Sequence, residues 1–488
     1  MRRFSSSVLA ALGLAIGAQS MAAAQTTSPT GETVWDLRQC IDYAVKNNLQ
    51  LRQAGLGVEQ AAVDVQQARA NQLPSLNAGG SHGFNNGFFL DPVRNQIQNT
   101  QIWAGNVSLQ SSVTVFNGLQ VQNTIKRNKL DYEASQYDKE KAENDIKLNV
   151  VTAYMQILLN QELLRTAQER QNLSRIQLER TQKLFNAGSV PESNVLELNA
   201  QLASDELNSI TAQNNIELAE LRLIQLMNLE NTDQRNFAIV APEIEAPDQS
   251  VIGFEAQDVY ERAEDVMPEI KRAQLRVQSA AKTIDIARGG YYPSLNLVGS
   301  ISTRYSSGSN RFLVGQPVAV RRQIGFVDGT NQPVFAETFV TETTPRDYPY
   351  FNQLNDNIGQ YIGVSLNIPI LNGFRVRNNV QLSRIGLRNA ELNTAIAKND
   401  LRLIIAQSYT DAIAAQKRYV AAKSQLEAIE QTYRNAEIRL DNGLINNVDF
   451  NVVRNNLVKA QSDIIQAKYE FVFKVKILEF YQGKTLSL

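Results

Sequence analysis

Few side chains in this 488-residue sequence have the type and spacing to carry chemistry. His82 is the only histidine and Cys40 the only cysteine. A lone imidazole lacks the second group that a metal site or a nucleophile–base pair requires, so His82 reads as a packed or loop-proximal side chain. Cys40 has no partner for a disulfide or a zinc site, and between Leu37, Ile41 and Ala44 it reads as a small core residue. No GxSxG, HExxH or P-loop pattern occurs. The acids stand among bases, as in Lys139, Glu140, Lys141 and Glu143, which describes solvated helix faces. Asp449 lies beside Asn446 and Asn447 at the start of the last helical segment, a place that suits an N-cap-like acid. The expectation is a non-enzyme with no catalytic residue, cofactor or metal. With 48 basic and 49 acidic residues the formal charge is −1, so no electrostatic case exists for a nucleic-acid partner.

The elements that hold these residues point elsewhere. Arg2 and Arg3 precede the apolar run Val8–Ile16, and Ala22, Ala23 and Ala24 follow it, so residues 1–24 read as a cleaved signal peptide. The run is too short for a spanning helix, which needs about 20 residues. Cys40 lies too far beyond the cleavage site to be the lipidated first residue of a lipoprotein.

The remainder is written twice. Gln72-Leu73-Pro74-Ser75-Leu76-Asn77 returns as Tyr291-Tyr292-Pro293-Ser294-Leu295-Asn296, Val115-Phe116-Asn117-Gly118 as Ile370-Leu371-Asn372-Gly373, and Asn186-Ala187-Gly188 as Asp441-Asn442-Gly443. The first repeat, 25–236, holds a helical segment Leu37–Asn71, a β-hairpin at about 73–116, and long helices at 119–185 and 192–228. Residues 237–257 are a connector. The second repeat, 258–488, holds a helical segment Asp258–Ala287, a hairpin at about 292–371 with a long polar loop over 305–357, and helices at 375–440 and 448–481. Neither Pro nor Gly falls between Gly118 and Gly188. A helix that long needs a long partner, and Leu426, Ile429, Tyr433, Ala436 and Leu440 recur at coiled-coil spacing.

Four short segments alternate apolar with small or polar residues, most cleanly Ile362, Val364, Leu366, Ile368 and Ile370 against Gly363, Ser365, Asn367 and Pro369. Each is near the roughly 9–11 residues that cross a membrane as a tilted strand. Four strands cannot close a membrane barrel, and open edges in hydrocarbon would leave backbone groups unpaired, so copies must associate. The strand pattern leaves two, three or four copies open, and two soluble hairpins packed on helices share it.

The landmarks in this order, twice, resemble the TolC-like outer-membrane efflux protein family. The resemblance implies a mixed membrane α/β fold. A trimeric 12-stranded transmembrane β-barrel, four strands per protomer, would be continuous with a long periplasmic α-helical coiled-coil barrel. It implies an outer-membrane exit duct of a tripartite efflux system, with outer-membrane lipid around the barrel and a periplasmic adaptor and inner-membrane transporter as partners. The exit duct of a type I protein-secretion system shares the architecture, and a non-channel envelope scaffold is the reading from another class. Adaptor docking maps to the turns at Ala187, Gly188 and Val190 and at Asn442, Gly443 and Leu444. The family's acidic constriction maps to Asp449, with Val452 where a second aspartate is expected, and with Asn194 and Glu197 at the first-repeat counterpart. Three Asp449 carboxylates across an axis would repel one another or attract cations.

Overall fold

A computed structural model describes residues 33–90, 95–230, 237–242, 253 and 255–484. The signal-peptide segment and most of the connector lie outside these residues.

The chain order is β1 (Thr33–Trp35), α1 (Leu37–Asn47), α2 (Leu49–Ala70), β2 (Ser75–Leu90), β3 (Ile97–Asn117), α3 (Gln120–Asn186), α4 (Glu192–Met227) and β4 (Phe237–Ile239). It continues with α5 (Ala256–Val266), α6 (Pro268–Gly289), β5 (Ser294–Ser306), β6 (Asn310–Phe326), β7 (Pro333–Asp347), α7 (Tyr350–Asp356), β8 (Gly359–Asn367), α8 (Arg375–Asp441) and α9 (Asn447–Tyr481). The repetition extends to element length: α3 and α8 hold 67 residues each, α1 and α5 eleven, α2 and α6 twenty-two. At about 1.5 Å per residue each 67-residue helix is about 100 Å long.

The helical segments expected at Leu37–Asn71 and Asp258–Ala287 are each broken into two. Asn48 interrupts the first with extended ψ, and its side chain accepts from the N–H groups of Gln50 (2.9 Å) and Leu51 (3.2 Å), capping α2. In the second, Pro268 forces Met267 out of the helical region and opens α6 at the position where proline costs least.

The two compact units do not coincide with the two repeats. One holds residues up to Gly55, Lys139–Met267 and Asn399 onward; the other holds Leu56–Asp138 and Pro268–Lys398. In the first unit Cys40, Val150, Tyr154, Leu223 and Met227 are at most 1 % exposed and form the centre of the main core. The Tyr154 hydroxyl donates to the backbone oxygen of Val240, which satisfies the buried phenol and ties α3 to the strand pair β1–β4. Burial, reinforced by Asp36, pushes the Cys40 thiol up to about 12, so the residue is the inert core side chain its neighbours suggested. In α8 the stripe Leu426, Ile429, Tyr433, Ala436 and Leu440 is less exposed than its flanking positions, as a coiled-coil seam requires.

The second unit carries an antiparallel sheet in the order β2-β3-β5-β8. Its register puts Leu76, Leu109 and Ile301 on one face with Leu297, Val364 and Leu366, and Asn77, Gln110, Ser300 and Tyr361 on the other. A bulge between Thr114 and Phe116 places Phe116, rather than Val115, opposite Leu295 on the apolar face. β8 stops at Asn367, so Ile368 and Ile370 lie beyond the strand expected to include them. Pro369 lacks an N–H and cannot continue a ladder. In the hairpin expected at about 73–116 the strands pair out to Leu90 and Ile97. The loop expected at 305–357 is a second hairpin, β6–β7, followed by α7. Its Thr and Val suit strands, and two bulges, one at Gly315 and Gln316 and one at Ile324, break the ladder without ending it. Among the described residues no helix is long and apolar enough to cross a membrane.

β3 and β8 lead into their long helices through the same backbone device. Gly118 and Leu119 (φ 67° and 62°) and Gly373 and Phe374 (φ 59° and 60°) are consecutive left-handed pairs. A methyl group on Gly118 would stand 2.2 Å from the oxygen of Gly289, whereas one on Gly373 would meet open space. Gly118→Ala should therefore cost more than the roughly 1–3 kcal/mol of left-handed strain that Gly373→Ala incurs alone. The temperature at which detergent-resistant oligomers dissociate checks this: the Gly118 variant falls below the Gly373 variant.

Candidate pore gate at the helical turns

The first unit ends in two helix–helix turns with the same hydrogen bonds. In the first, Gly188 N–H donates to Phe185 O (2.8 Å) and Ser189 N–H to Leu184 O (2.8 Å); in the second, Gly443 N–H donates to Leu440 O (2.9 Å) and Leu444 N–H to Arg439 O (2.8 Å). Both glycines are left-handed, at φ 75° and 67°, which closes a Schellman-type cap with no penalty from a Cβ. Ala187, Asn442 and Leu444 are exposed around these turns and Val190 is half-buried, so an apolar surface is offered there, with Leu444 69 % exposed.

Asp449 lies in the first turn of α9, exposed, and its N–H donates to Asn446 Oδ1 (2.8 Å). Asn446 is thus the cap that sequence context had suggested for Asp449 itself. The carboxylate stands free of capping duty, near the positive end of the helix dipole. Val452, one turn on, is 55 % exposed. Asn194 is half-buried and Glu197 exposed in the first turns of α4. One chain contributes one Asp449 carboxylate, and nothing within the chain brings it into contact with Glu197 or Asn194 among the described bonds.

Behind the turns is a charged node that the sequence reading did not identify. The Asp205 side chain on α4 is 0 % exposed. It accepts from Arg170 Nη2 on α3 (3.2 Å), from Arg454 Nη2 on α9 (2.9 Å), from Gln201 (3.2 Å) and from the Ser174 hydroxyl. Arg454, 5 % exposed, also donates to Ser174 Oγ (2.6 Å) and Gln177 Oε1 (2.7 Å). Burial lowers the pKa of Arg170, the Asp205 charge opposes that, and Arg454 adds to it. Two guanidinium groups share one carboxylate, so the node fixes α9 against both first-repeat helices a turn beyond Asp449. The signal was present in sequence as phase: Asp205 follows Val195 and Leu198 along the buried stripe of α4, and Arg454 falls between buried Phe450 and Val458. A charge in register with a core stripe needs a partner.

The sheet of the second unit offers a separate candidate surface. Arg304 is the only charged residue in β2, β3, β5 and β8. Among the described side chains the polar face is otherwise Ser, Asn, Gln, Thr, Tyr and Gly with Ala104, Ile102 and Val298 as apolar exceptions. His82 is stacked between Trp103 (5.6 Å) and Tyr305 (5.7 Å), with Tyr350 edge-on at 6.0 Å. Among the described residues no cluster of His, Cys, Asp and Glu could hold a metal ion.

Asp205→Ala leaves buried Arg454 and half-buried Arg170 without their anion and should destabilise the helical unit by about 3–5 kcal/mol. Arg454→Met should cost less, because Arg170 still neutralises Asp205. Urea unfolding followed by far-ultraviolet circular dichroism orders the two variants.

The sequence profile described as outer membrane efflux protein matches residues 40–229 and 259–479. The chain is 22 % identical over 455 residues to outer membrane protein TolC of Escherichia coli K12, covering 90 % of this chain and 80 % of that protein. It is 24 % identical over 460 residues to toxin and drug export protein A of Aggregatibacter actinomycetemcomitans, covering 89 % and 83 %. The Campylobacter jejuni CmeC outer membrane channel superposes with a TM-score of 0.68 at 18 % identity, covering 92 % of this chain and 85 % of that one. The profile runs through both repeats and most of the sequence, so this chain belongs to the outer membrane efflux protein family, as an outer-membrane exit channel.

Proposed function

We propose that three copies of this chain form a passive exit duct for small toxic or drug-like molecules, supplied by an inner-membrane transporter through a periplasmic adaptor. The observation that carries the reading is the four-stranded sheet, apolar on one face, polar with Arg304 as its one charge on the other, with β2 and β8 as open edges. Three such sheets make a twelve-stranded barrel whose apolar face meets lipid and whose polar face lines water. The 67-residue helices, about 100 Å each, extend the passage on the periplasmic side. The turns at Gly188 and Gly443 receive the adaptor through their exposed apolar residues. Three Asp449 carboxylates, one per copy, form a single acidic ring at the narrow end, without the second ring that Val452 cannot supply.

A type I secretion duct is the second reading, favoured by the likeness to a protein named for toxin as well as drug export. Crosslinking at Leu444 in cells separates the two by the transporter that is recovered with the adaptor.

Folded oligomers in a planar bilayer should conduct ions, and silent oligomers contradict the duct. Asp449→Ala should raise conductance or weaken block by divalent cations; unchanged behaviour removes Asp449 from the gate. With its acidic ring gone the channel should show little preference between K⁺ and Cl⁻ in a salt gradient, because the barrel lining carries almost no charge.

A further inference from the structure

The sheet's strands are unequal in a way that exposes one boundary. β2 and β3 hold 16 and 21 residues, but β5 holds 13 and β8 only nine. β3 pairs with β5 from Ala104 onward, so the paired strands Phe84–Leu90 and Ile97–Trp103 overhang the sheet at the end away from the helices. In a closed barrel β8 pairs with β2 of the next copy, and nine residues cannot cover sixteen. The outer part of that β2 edge stays bare, with Phe84, Phe88 and Leu90 exposed by 51, 79 and 55 %.

The chain's own element between β5 and β8 in sequence is the β6–β7 ribbon, about 50 Å long over the 15 residues of β7 at about 3.4 Å per residue. It is a built arm. Gln353, 1 % exposed, accepts from the N–H of Ser306 (3.0 Å) on its incoming side and donates to Tyr348 O (2.7 Å) on its outgoing side. Ser306 and Ser309 at the root are buried. Yet the ribbon has two unpaired edges, with Phe312, Phe335 and Phe339 exposed on one face and Val318, Val320 and Val340 on the other. A two-stranded ribbon is marginal alone in water, and such edges seek a partner. Between residues 310 and 347 Arg311, Arg321, Arg322 and Arg346 balance Asp328, Glu337, Glu342 and Asp347. The paired overhang strands, Phe84–Leu90 and Ile97–Trp103, carry no charge. Zero net charge on both sides disfavours an anionic lipid headgroup and fits one apolar protein surface on another.

We infer that the β6–β7 ribbon of each copy docks along the overhanging β2–β3 hairpin of the neighbouring copy, sealing each subunit boundary outside the membrane. The inference rests on the three-copy reading above. Oligomers purified from the outer membrane test it with two cysteine pairs and a short bismaleimide. Phe88→Cys with Phe339→Cys reports the ribbon, and Asn77→Cys with Ser365→Cys reports the β2–β8 barrel seam. Buried Cys40 stays silent in both. Most chains should run as crosslinked dimers and trimers with either pair, and Phe339→Cys alone should give none. The inference is overturned if the seam pair crosslinks while the ribbon pair does not and Phe339→Cys reacts fully with a bulky water-soluble maleimide. It is equally overturned if Phe339→Cys alone gives ribbon–ribbon dimers, or if the ribbon is captured on another molecule. Failure of the seam pair as well sinks the three-copy duct and the docking with it.

Discussion

The backbone of β2 and β8 sets the terms for everything else in this chain. Each strand has one row of N–H and C=O groups paired within the sheet and one row facing outward. In hydrocarbon every unpaired group of that kind costs several kcal/mol, and no side-chain arrangement removes the cost. A sheet that is apolar on one face must therefore find another sheet before it can sit in lipid. Assembly is thus a condition of membrane insertion for this protein, and the two-faced strands, the repeat and the long helices can be understood as consequences of meeting that condition with few residues per copy.

The helices meet a different constraint. A 67-residue helix is stable only where neighbours cover its apolar stripe, and here the first unit supplies a conventional core around Tyr154 and Leu223 at one level and a charged node around Asp205 near the turns. The contrast is physically sensible. An apolar seam resists separation but tolerates sliding, whereas a buried carboxylate bonded to two guanidinium groups has one geometry in which all its donors are satisfied. Where the first turn of α9 must be held in register, directional contacts do what dispersion cannot.

Much of this was legible in sequence, and the exceptions share a cause. Repeated landmarks such as Leu73-Pro74-Ser75-Leu76 and Asn117-Gly118 mark junctions where backbone conformation is restricted to few residue types, and the structure shows left-handed pairs at Gly118 and Gly373. Period-two alternation located all four barrel strands because their faces meet lipid and water. The β6–β7 ribbon escaped notice because neither of its faces is buried, so it has no alternation to read and resembles a polar loop. The breaks at Asn48 and Met267 lie within otherwise continuous helical patterns, the first depending on capping and the second on the proline that follows. Asp205 and Arg454 are hard to single out in sequence because charges along these helices usually face solvent, and only their phase distinguishes them. Asp449 gained a sharper description: with Asn446 serving as the cap, its carboxylate is left exposed at the start of α9.

The central claim is that several incomplete sheets, and specifically three, surround one passage. Electron cryomicroscopy of the detergent-purified oligomer tests that claim most directly. The account predicts a particle of threefold symmetry with a continuous axial channel through barrel and helices. A monomer, a particle of another symmetry, or a threefold bundle with a solid axis along its whole length would contradict it.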